Sequence, residues 1–356
     1  MITLDGSYGE GGGALVRTAL ALSALTGKSF EITNIRSGRP NPGLKSQHLH
    51  AIKLLAQLCQ AKTNPIDIGS TKLRFVPGVV KRGIYEVDIG TAGSISLLLQ
   101  AVTLPALFAP GKVTFKITGG TCGKWQASVE YIKQVLLPHL TRFVDKIEMK
   151  ILKRGYYPAG GGLVQLEITP RLAFDSNAIP FKVSKIMLTE QGELEHIRGT
   201  VDLSLELEER KIGERIASAV KAGLKEYDAP ININVEYANT RSIGGEAVIW
   251  AVFSERGKVS YDNPVILGGD ALVDRNTKSE DVGKAAADML KKEMKTYAAC
   301  DRHLADQLLH FMALLPGSEI ETSGITKHAE TNMYVIEKFL DVGFKVVKNR
   351  ISVERR

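Results

Sequence analysis

Three groups of residues in this chain could do chemistry. His328 lies in ITKHAETNMYVIEKFL, a polar loop-to-helix junction where Glu330 and Asn332 flank it and the apolar periodicity begins only at Met333. An imidazole is neutral near pH 7 and nucleophilic, so it can attack phosphorus and carry the group as an N-linked intermediate. A single histidine at a helix start is more often a cap or a surface residue. The second group is HLADQ, residues 303 to 307, where a spacing of three puts His303 and Asp306 on one helix face. The alternative there is the solvated face of an amphipathic helix. The third is DGSYGEGGGALVR, residues 5 to 17, in which glycines flank Glu10 and lead directly into the apolar pattern Ala14 to Leu25.

A glycine loop feeding a helix leaves backbone amides pointing outward at the positive end of the helix dipole, so an anion is its natural ligand. Close packing alone would also account for such a turn. Arg17, inside the apolar helix, must snorkel to water or meet a partner charge. A second loop, RSGRPNPG from Arg36 to Gly43, carries Arg39 and delivers the helix Leu44 to Gln60, whose first turns hold Lys45, Gln47, His48 and His50. From Met1 to Gln60 there are six Lys/Arg against three Asp/Glu, gathered at the turns. Forked guanidinium groups match phosphate oxygens in pairs, which a merely solvated basic face does not need.

These stretches resemble the RNA 3'-terminal phosphate cyclase family. The likeness is carried by DGSYGEGGGALVRTALALS and IRSGRPNPGLKSQHLHA, then by IGTAGSISLLLQ (89 to 100), GYYPAGGG (155 to 162), HLADQL (303 to 308) and KHAETN (327 to 332). It covers nearly the whole chain and is weakest between Phe181 and Asn276. The resemblance implies an ATP-dependent enzyme that turns an RNA 3'-terminal phosphate into a 2',3'-cyclic phosphodiester. His328 is then the adenylated residue, giving a histidyl-AMP, and AMP passes to the RNA before the vicinal 2'-hydroxyl displaces it. The same resemblance implies that Gln100, His303, Leu304, Ala305, Asp306 and Gln307 line the ATP pocket, with the ring at 303 covering adenine. Relatives often carry tyrosine where this chain has His303, and an imidazole can also stack. Arg17, Arg36, Arg39, Gln47 and His48 are implied as grips on the RNA and nucleotide phosphates, and Glu10 as the ligand of Mg2+ or Mn2+, hard cations suited to oxygen donors.

Composition sets bounds on this reading. With 356 residues, 44% hydrophobic and 24% charged, the chain is long enough for two domains and does not have the make-up of a disordered protein. A net charge of +7 permits a polyanionic partner without requiring one. Cys59, Cys122 and Cys300 are odd in number and lack CxxC spacing, which argues against a zinc knuckle or a disulfide framework and fits a reducing cytoplasm. No signal peptide is visible, and the most apolar run, Ile95 to Ala109, is shorter than a membrane span needs and reads as a buried helix. A homodimer is left open.

Strand and helix patterns alternate, so the expected fold class is α/β (α+β): a large domain of repeated strand-helix units with a smaller inserted α+β domain. Residues 1–180 with 277–356 form the expected catalytic domain and 181–276 the insertion, the pattern changing near RLAFDSNAIP. ITNIRSGRPNPGLKSQHLHAIKLLAQL recurs in outline as FKITGGTCGKWQASVEYIKQVLLPHL, and the resemblance suggests a third such unit near the C-terminus. Thr277-Lys-Ser-Glu280 reads as a capping box, and Phe344 to Val353 as one final strand. Two glycine stretches are set aside as phosphate loops. Thr118 to Lys124 places Trp125 where a Walker loop needs Ser or Thr, and Gly160 to Gly162 precedes a strand.

Two rivals use the same features. A cyclase-like ribosome-assembly or RNA-processing factor would share the fold without adenylation, and the presence of His328 with Arg17 and Gln47 argues against it. An enolpyruvyl transferase would also use glycine loops and arginines, but on a small phosphorylated substrate. Little base readout is expected, because no RNA-binding aromatic motif is present.

Overall fold

The computed structural model describes all residues except Glu10, Trp125, Ser176 and Ala178, and the backbone alone at Pro180 and Phe181. Three units of the chain repeat one topology. The first comprises β1 (Ile2–Asp5), α1 (Gly13–Thr26), β2 (Phe30–Thr33), α2 (Ser46–Cys59), β3 (Lys62–Thr63) and β4 (Leu73–Val76). The second runs through β5 (Gly83–Asp88), α3 (Ile95–Ala106), β6 (Val113–Gly119), α4 (Val129–Tyr131), a π-turn (Ile132–Leu136), α5 (Leu137–Leu140), β7 (Val144–Lys153) and β8 (Gly162–Pro170). After the short α6 (Ile179–Lys182), β9 (Met187–Leu188) opens the third unit. The chain then leaves it for β10 (Glu193–Ser204), α7 (Ile212–Gly223), β11 (Ile231–Ala238), β12 (Gly245–Ser254), β13 (Val265–Leu272) and α8 (Ser279–Met294). It returns with α9 (Arg302–Met312), β14 (Glu319–Glu321), α10 (Lys327–Phe339), β15 (Val342–Val347) and β16 (Arg350–Arg355).

The three sheets are ordered β1-β2-β4-β3, β5-β6-β8-β7 and β9-β14-β16-β15. In each, the first pair is parallel and the other two are antiparallel. The third unit suggested by the resemblance is therefore present, with an insertion between its first strand and first helix. The inserted sheet, β11-β10-β12-β13, has a different order.

Burial explains the layering. Helix α1 is apolar almost all round and, apart from Arg17, is buried from Ala14 to Leu25, as expected of a helix enclosed by others rather than lying at a surface. It packs against α2, α3 and α10, and with the inner faces of the three sheets it forms one continuous core. A second core holds Ile197, Val201, Ile216, Val220, Ile249 and Leu267 together with Val282, Ala286, Leu290 and Met294 of α8.

Four expectations differ from what is found. Helix α8 packs its apolar stripe into the second core and β9 pairs with β14, so the insertion leaves the third unit after β9 and returns at α9 rather than at 181 and 276, while Val248, Trp250, Val252 and Ile266 on the other face of its sheet join the first core. The capping box does not form: α8 begins at Ser279, and its cap, Lys278, makes no side-chain cap bond. The final strand is a hairpin, because Lys348 turns the chain in the left-handed region at φ 55. The helix expected from Trp125 to Leu140 has a start outside the described residues and contains the π-turn, which precedes Pro138, a residue with no N–H to donate to the preceding turn. Among the described residues no helix is long and apolar enough to cross a membrane.

Candidate active site

The glycine loop leaves the right-handed world twice before α1 begins: Gly9 has φ 65 and Gly11 φ 56. Gly13 then begins the helix against His48. A methyl group on Gly13 would stand 2.2 Å from His48 Nε2 and 3.1 Å from Arg17 Nη1. His48 is 3% exposed and lies in the first turn of α2, where its Nδ1 accepts the Lys45 N–H at 2.9 Å. Nδ1 is thus an acceptor, so the neutral ring carries its proton on Nε2 and presents it to the start of α1. Burial, then the positive charges of Arg17, Arg36 and Lys45, push the imidazole down to about 3. A gathering of cations around a neutral donor at a helix start suits an anion.

Not every basic group there is equally available. Arg36 has φ 55, and its Nη1 donates to the carbonyls of Asn41 (2.8 Å) and Gly43 (3.1 Å), so part of this guanidinium braces its own loop. Burial and the nearby Arg39 lower its pKa. Arg39 and Gln47 are half-buried beside it. Glu10 lies outside the described residues.

Next to this cluster, the starts of α1 and α10, one face each of α3 and α9, and the α4 to α5 region with Tyr131, Ile132 and Leu136 surround a cavity of about 570 Å³. Arg17, Gln100, His303, Asp306, Gln307 and His328 all line it. Residues more than three hundred positions apart in sequence are therefore brought together. Arg36, Arg39, Gln47 and His48 stand outside the lining. Leu304 and Ala305 do too, at 0% and 1% exposure, because they are the core-facing side of α9.

Hydrogen bonds fix the lining from behind. Thr326 caps α10, accepting from the Ala329 N–H at 3.0 Å while its hydroxyl donates to the Asp306 carboxylate at 2.5 Å. That single side chain ties the helix that carries His328 to the helix that carries Asp306. Asn332 donates to the Asp306 carbonyl at 2.9 Å and accepts the Thr18 hydroxyl at 2.8 Å. Because the Thr18 proton is used there, its oxygen must accept from His310 Nε2, 3.0 Å away. Burial holds His310 neutral and down at about 4. Gln307 donates to the His303 carbonyl at 3.0 Å and accepts from Gln100 at 3.4 Å.

The insertion also enters the site. Asp270, Ala271 and Leu272 of β13 line the same cavity. Asp301 caps α9 by accepting from His303 N and Leu304 N, both at 2.9 Å, and also accepts from the Tyr131 hydroxyl and, at 2.9 Å, from Gly268 N on β13. A methyl on Gly268 would stand 2.3 Å from the Tyr131 ring, so only glycine lets these elements close. Burial raises the Asp270 pKa, with His303 pulling it back and Asp301 adding to the rise.

Sequence reasoning missed Thr18, Asp301, His310 and the β13 residues. Thr18 sits inside the apolar helix pattern Ala14 to Leu25, where nothing marks it, and Asp301, two residues before HLADQ, is an available cap signal. Lys124, set aside with the false Walker loop, lines the cavity after all and reaches Asp274 of the insertion at 3.5 Å.

Comparison with known proteins points the same way. Residues 8–346 match the sequence profile of the family described as RNA 3'-terminal phosphate cyclase. A protein of that name from Methanopyrus kandleri is 39% identical over 353 residues, covering 97% of this chain and 95% of its own length. The one from Pyrococcus furiosus is 40% identical over 346 residues, with 97% and 95% covered. That from Archaeoglobus fulgidus is 38% identical over 355 residues, with 99% and 100% covered. With its three repeated units, its cavity and a match running over almost its full length, the chain belongs to the RNA 3'-terminal phosphate cyclase family.

Proposed function

We propose that this protein converts an RNA 3'-terminal phosphate into a 2',3'-cyclic phosphodiester at the expense of ATP. The observation that carries the reading is the meeting of His328, Arg17, Gln100, His303, Asp306 and Gln307 around one cavity. His328 attacks the α-phosphorus of ATP through an imidazole nitrogen, the α–β bridging bond breaks, and pyrophosphate leaves. An oxygen of the RNA 3'-phosphate then displaces the histidine and takes the AMP as a mixed anhydride. The neighbouring 2'-hydroxyl attacks the same 3'-phosphorus, loses its proton, and expels AMP. Activation supplies the leaving group that a bare phosphate lacks.

His303 serves as the ring over adenine, with Gln100 and Gln307 holding the nucleotide and Asp306 held in place by Thr326. Arg17, Arg39 and the His48 Nε2–H bind phosphate oxygens, and the partly committed Arg36 keeps its loop in shape as it contributes charge. Mg2+ or Mn2+ would offset the triphosphate charge, and Glu10 is the residue that would hold it. Among the described residues no group of three or more His, Cys, Asp or Glu could hold an ion, so a complete resident metal site is not built from them. The protein works in the cytoplasm, consistent with three free, buried cysteines.

The test is incubation with α-labelled ATP and a divalent cation, followed by denaturing electrophoresis, with His328→Ala in parallel. Label on the wild type alone, stable to alkali, released by acid and transferable to RNA ending in a 3'-phosphate, is expected. A folded wild-type protein that takes no label would overturn the mechanism.

A further inference from the structure

The tyrosine in the glycine loop has no part in the chemistry described so far. Tyr8 stacks on Tyr334 with ring centroids 3.9 Å apart and planes at 18°, and Lys338 Nζ stands 5.4 Å from the Tyr334 ring centre. Tyr8 is nevertheless 43% exposed. A ring covered on one face and still so accessible offers its other face to a flat partner. Its partner ring keeps it in one orientation, so little side-chain freedom remains to be lost when something stacks there.

Its position joins both halves of the site. The next residue, Gly9, packs on α10: a methyl there would stand 2.5 Å from Thr331 Oγ1, three residues beyond His328. Gly11 lies across from Gly38, whose amide nitrogen would be 3.7 Å from a methyl at Gly11, and Gly38 lies between Arg36 and Arg39. Tyr334 is six residues beyond His328, about 9 Å along the helix axis. The aromatic pair thus sits on the helix that carries the nucleophile and on the loop that approaches the arginine-bearing segment at Gly38.

We propose that Tyr8, backed by Tyr334, is the platform on which the nucleobase at the 3' end of the RNA stacks, setting its terminal phosphate toward Arg17 and His48. The proposal rests on the reading that RNA bearing a 3'-phosphate is the substrate. Lys338 beside Tyr334, and Arg36 and Arg39 on either side of the Gly38 that the tyrosine's loop approaches, favour a polyanion over a neutral aromatic partner. Stacking reads the flat face that every base has, so it would secure the end without selecting its sequence.

The experiment is a fluorescence titration with a short RNA that carries 2-aminopurine as its 3'-terminal base and ends in a 3'-phosphate. Wild-type protein should quench the fluorophore on binding. Tyr8→Ala should bind roughly tenfold more weakly and without the quench, whereas Tyr8→Phe, which keeps the ring, should match the wild type. The wild type should lose a similar factor with an RNA abasic at its last position, a comparison that needs no mutation and holds even if Tyr8→Ala folds poorly. Unchanged affinity and quench in Tyr8→Ala, or indifference of the wild type to the abasic end, would overturn the platform. If the wild type binds no 3'-phosphate RNA at all, the substrate reading falls and the platform falls with it.

Discussion

Substituting Gly13 by alanine tests whether the start of α1 and the first turn of α2 are fitted to one another. On propensity alone the change should help, since alanine in place of glycine favours a helix interior by about 1 kcal/mol, and by less in the first turn. The structure reverses the sign. The new methyl would lie 2.2 Å from His48 Nε2, whereas ordinary contact begins near 3.4 Å, so the ring must retreat by 1.2 Å. It has nowhere easy to go, being 3% exposed and held through Nδ1 by Lys45 N–H. Overpacking of this kind costs about 1–3 kcal/mol, and losing the Lys45 bond about 1 kcal/mol more. Gly13→Ala should therefore lose about 1–3 kcal/mol in urea unfolding. The decisive comparison is Gly13→Ala in a His48→Ala background, where the methyl enters space the imidazole has vacated. The double variant should be no less stable than His48→Ala alone, a coupling of about 1–3 kcal/mol. Simple additivity, or a Gly13→Ala protein as stable as the wild type, would refute the reasoning.

Two further predictions concern buried charge. His310 is neutral when folded, with a pKa near 4 against the usual 6.5. The unfolded chain therefore binds the extra proton between those values, and this residue costs stability as pH falls through that window. Between pH 7 and pH 5 the wild type should lose about 2 kcal/mol more than His310→Gln in urea unfolding, and parallel losses would contradict this. Arg154, 8% exposed, meets Glu130 at 2.9 Å, Glu236 at 3.2 Å and Asp202 at 3.3 Å, the last an ion pair without hydrogen-bond alignment. Burial outweighs this cation and holds the Asp202 carboxyl up at about 6. Arg154→Met should cost about 3–5 kcal/mol by stranding buried carboxylates. Because acid neutralises Asp202, that deficit should shrink from pH 8 to pH 5, and a deficit independent of pH would exclude the explanation.

What could be read in the sequence was whatever the chain writes locally. The glycine loop, the arginine-bearing second loop and the periodicity of α1, α2 and α3 are visible because each depends on neighbours a few residues away. Three topologically equivalent sheets are not, since β9 and β14 pair across the whole insertion. The same limit applies to the site. His303 and Asp306 share a face by spacing, but nothing near Thr326 indicates that its hydroxyl reaches the Asp306 carboxylate. Leu304 and Ala305 look like pocket residues when taken as a motif, yet helical geometry turns them toward the core. The segment 181–276 carries no readable role, and the structure puts Asp270 into the cavity wall through a strand register that no local pattern encodes.

The place where the insertion enters has a consequence for how the protein could be rebuilt. In the first unit the passage from first strand to first helix is the glycine loop, residues 6–12, and in the second it is residues 89–94. In the third it is everything from 189 to 301. Since the other two units span this gap with a short turn, the two ends of the insertion meet the scaffold at neighbouring points, the geometry at which whole domains are tolerated as guests. A short graft taken from either sister loop could rejoin the chain after excision, but Val248, Trp250, Val252 and Ile266 of the insertion's sheet belong to the scaffold's own core, which would lose that packing. The vessel would then lack one side, the side formed by Asp270 to Leu272. The guest is thus joined to the frame's core as well as to the cavity, and exchanging it between relatives would change the pocket and the packing beside it together.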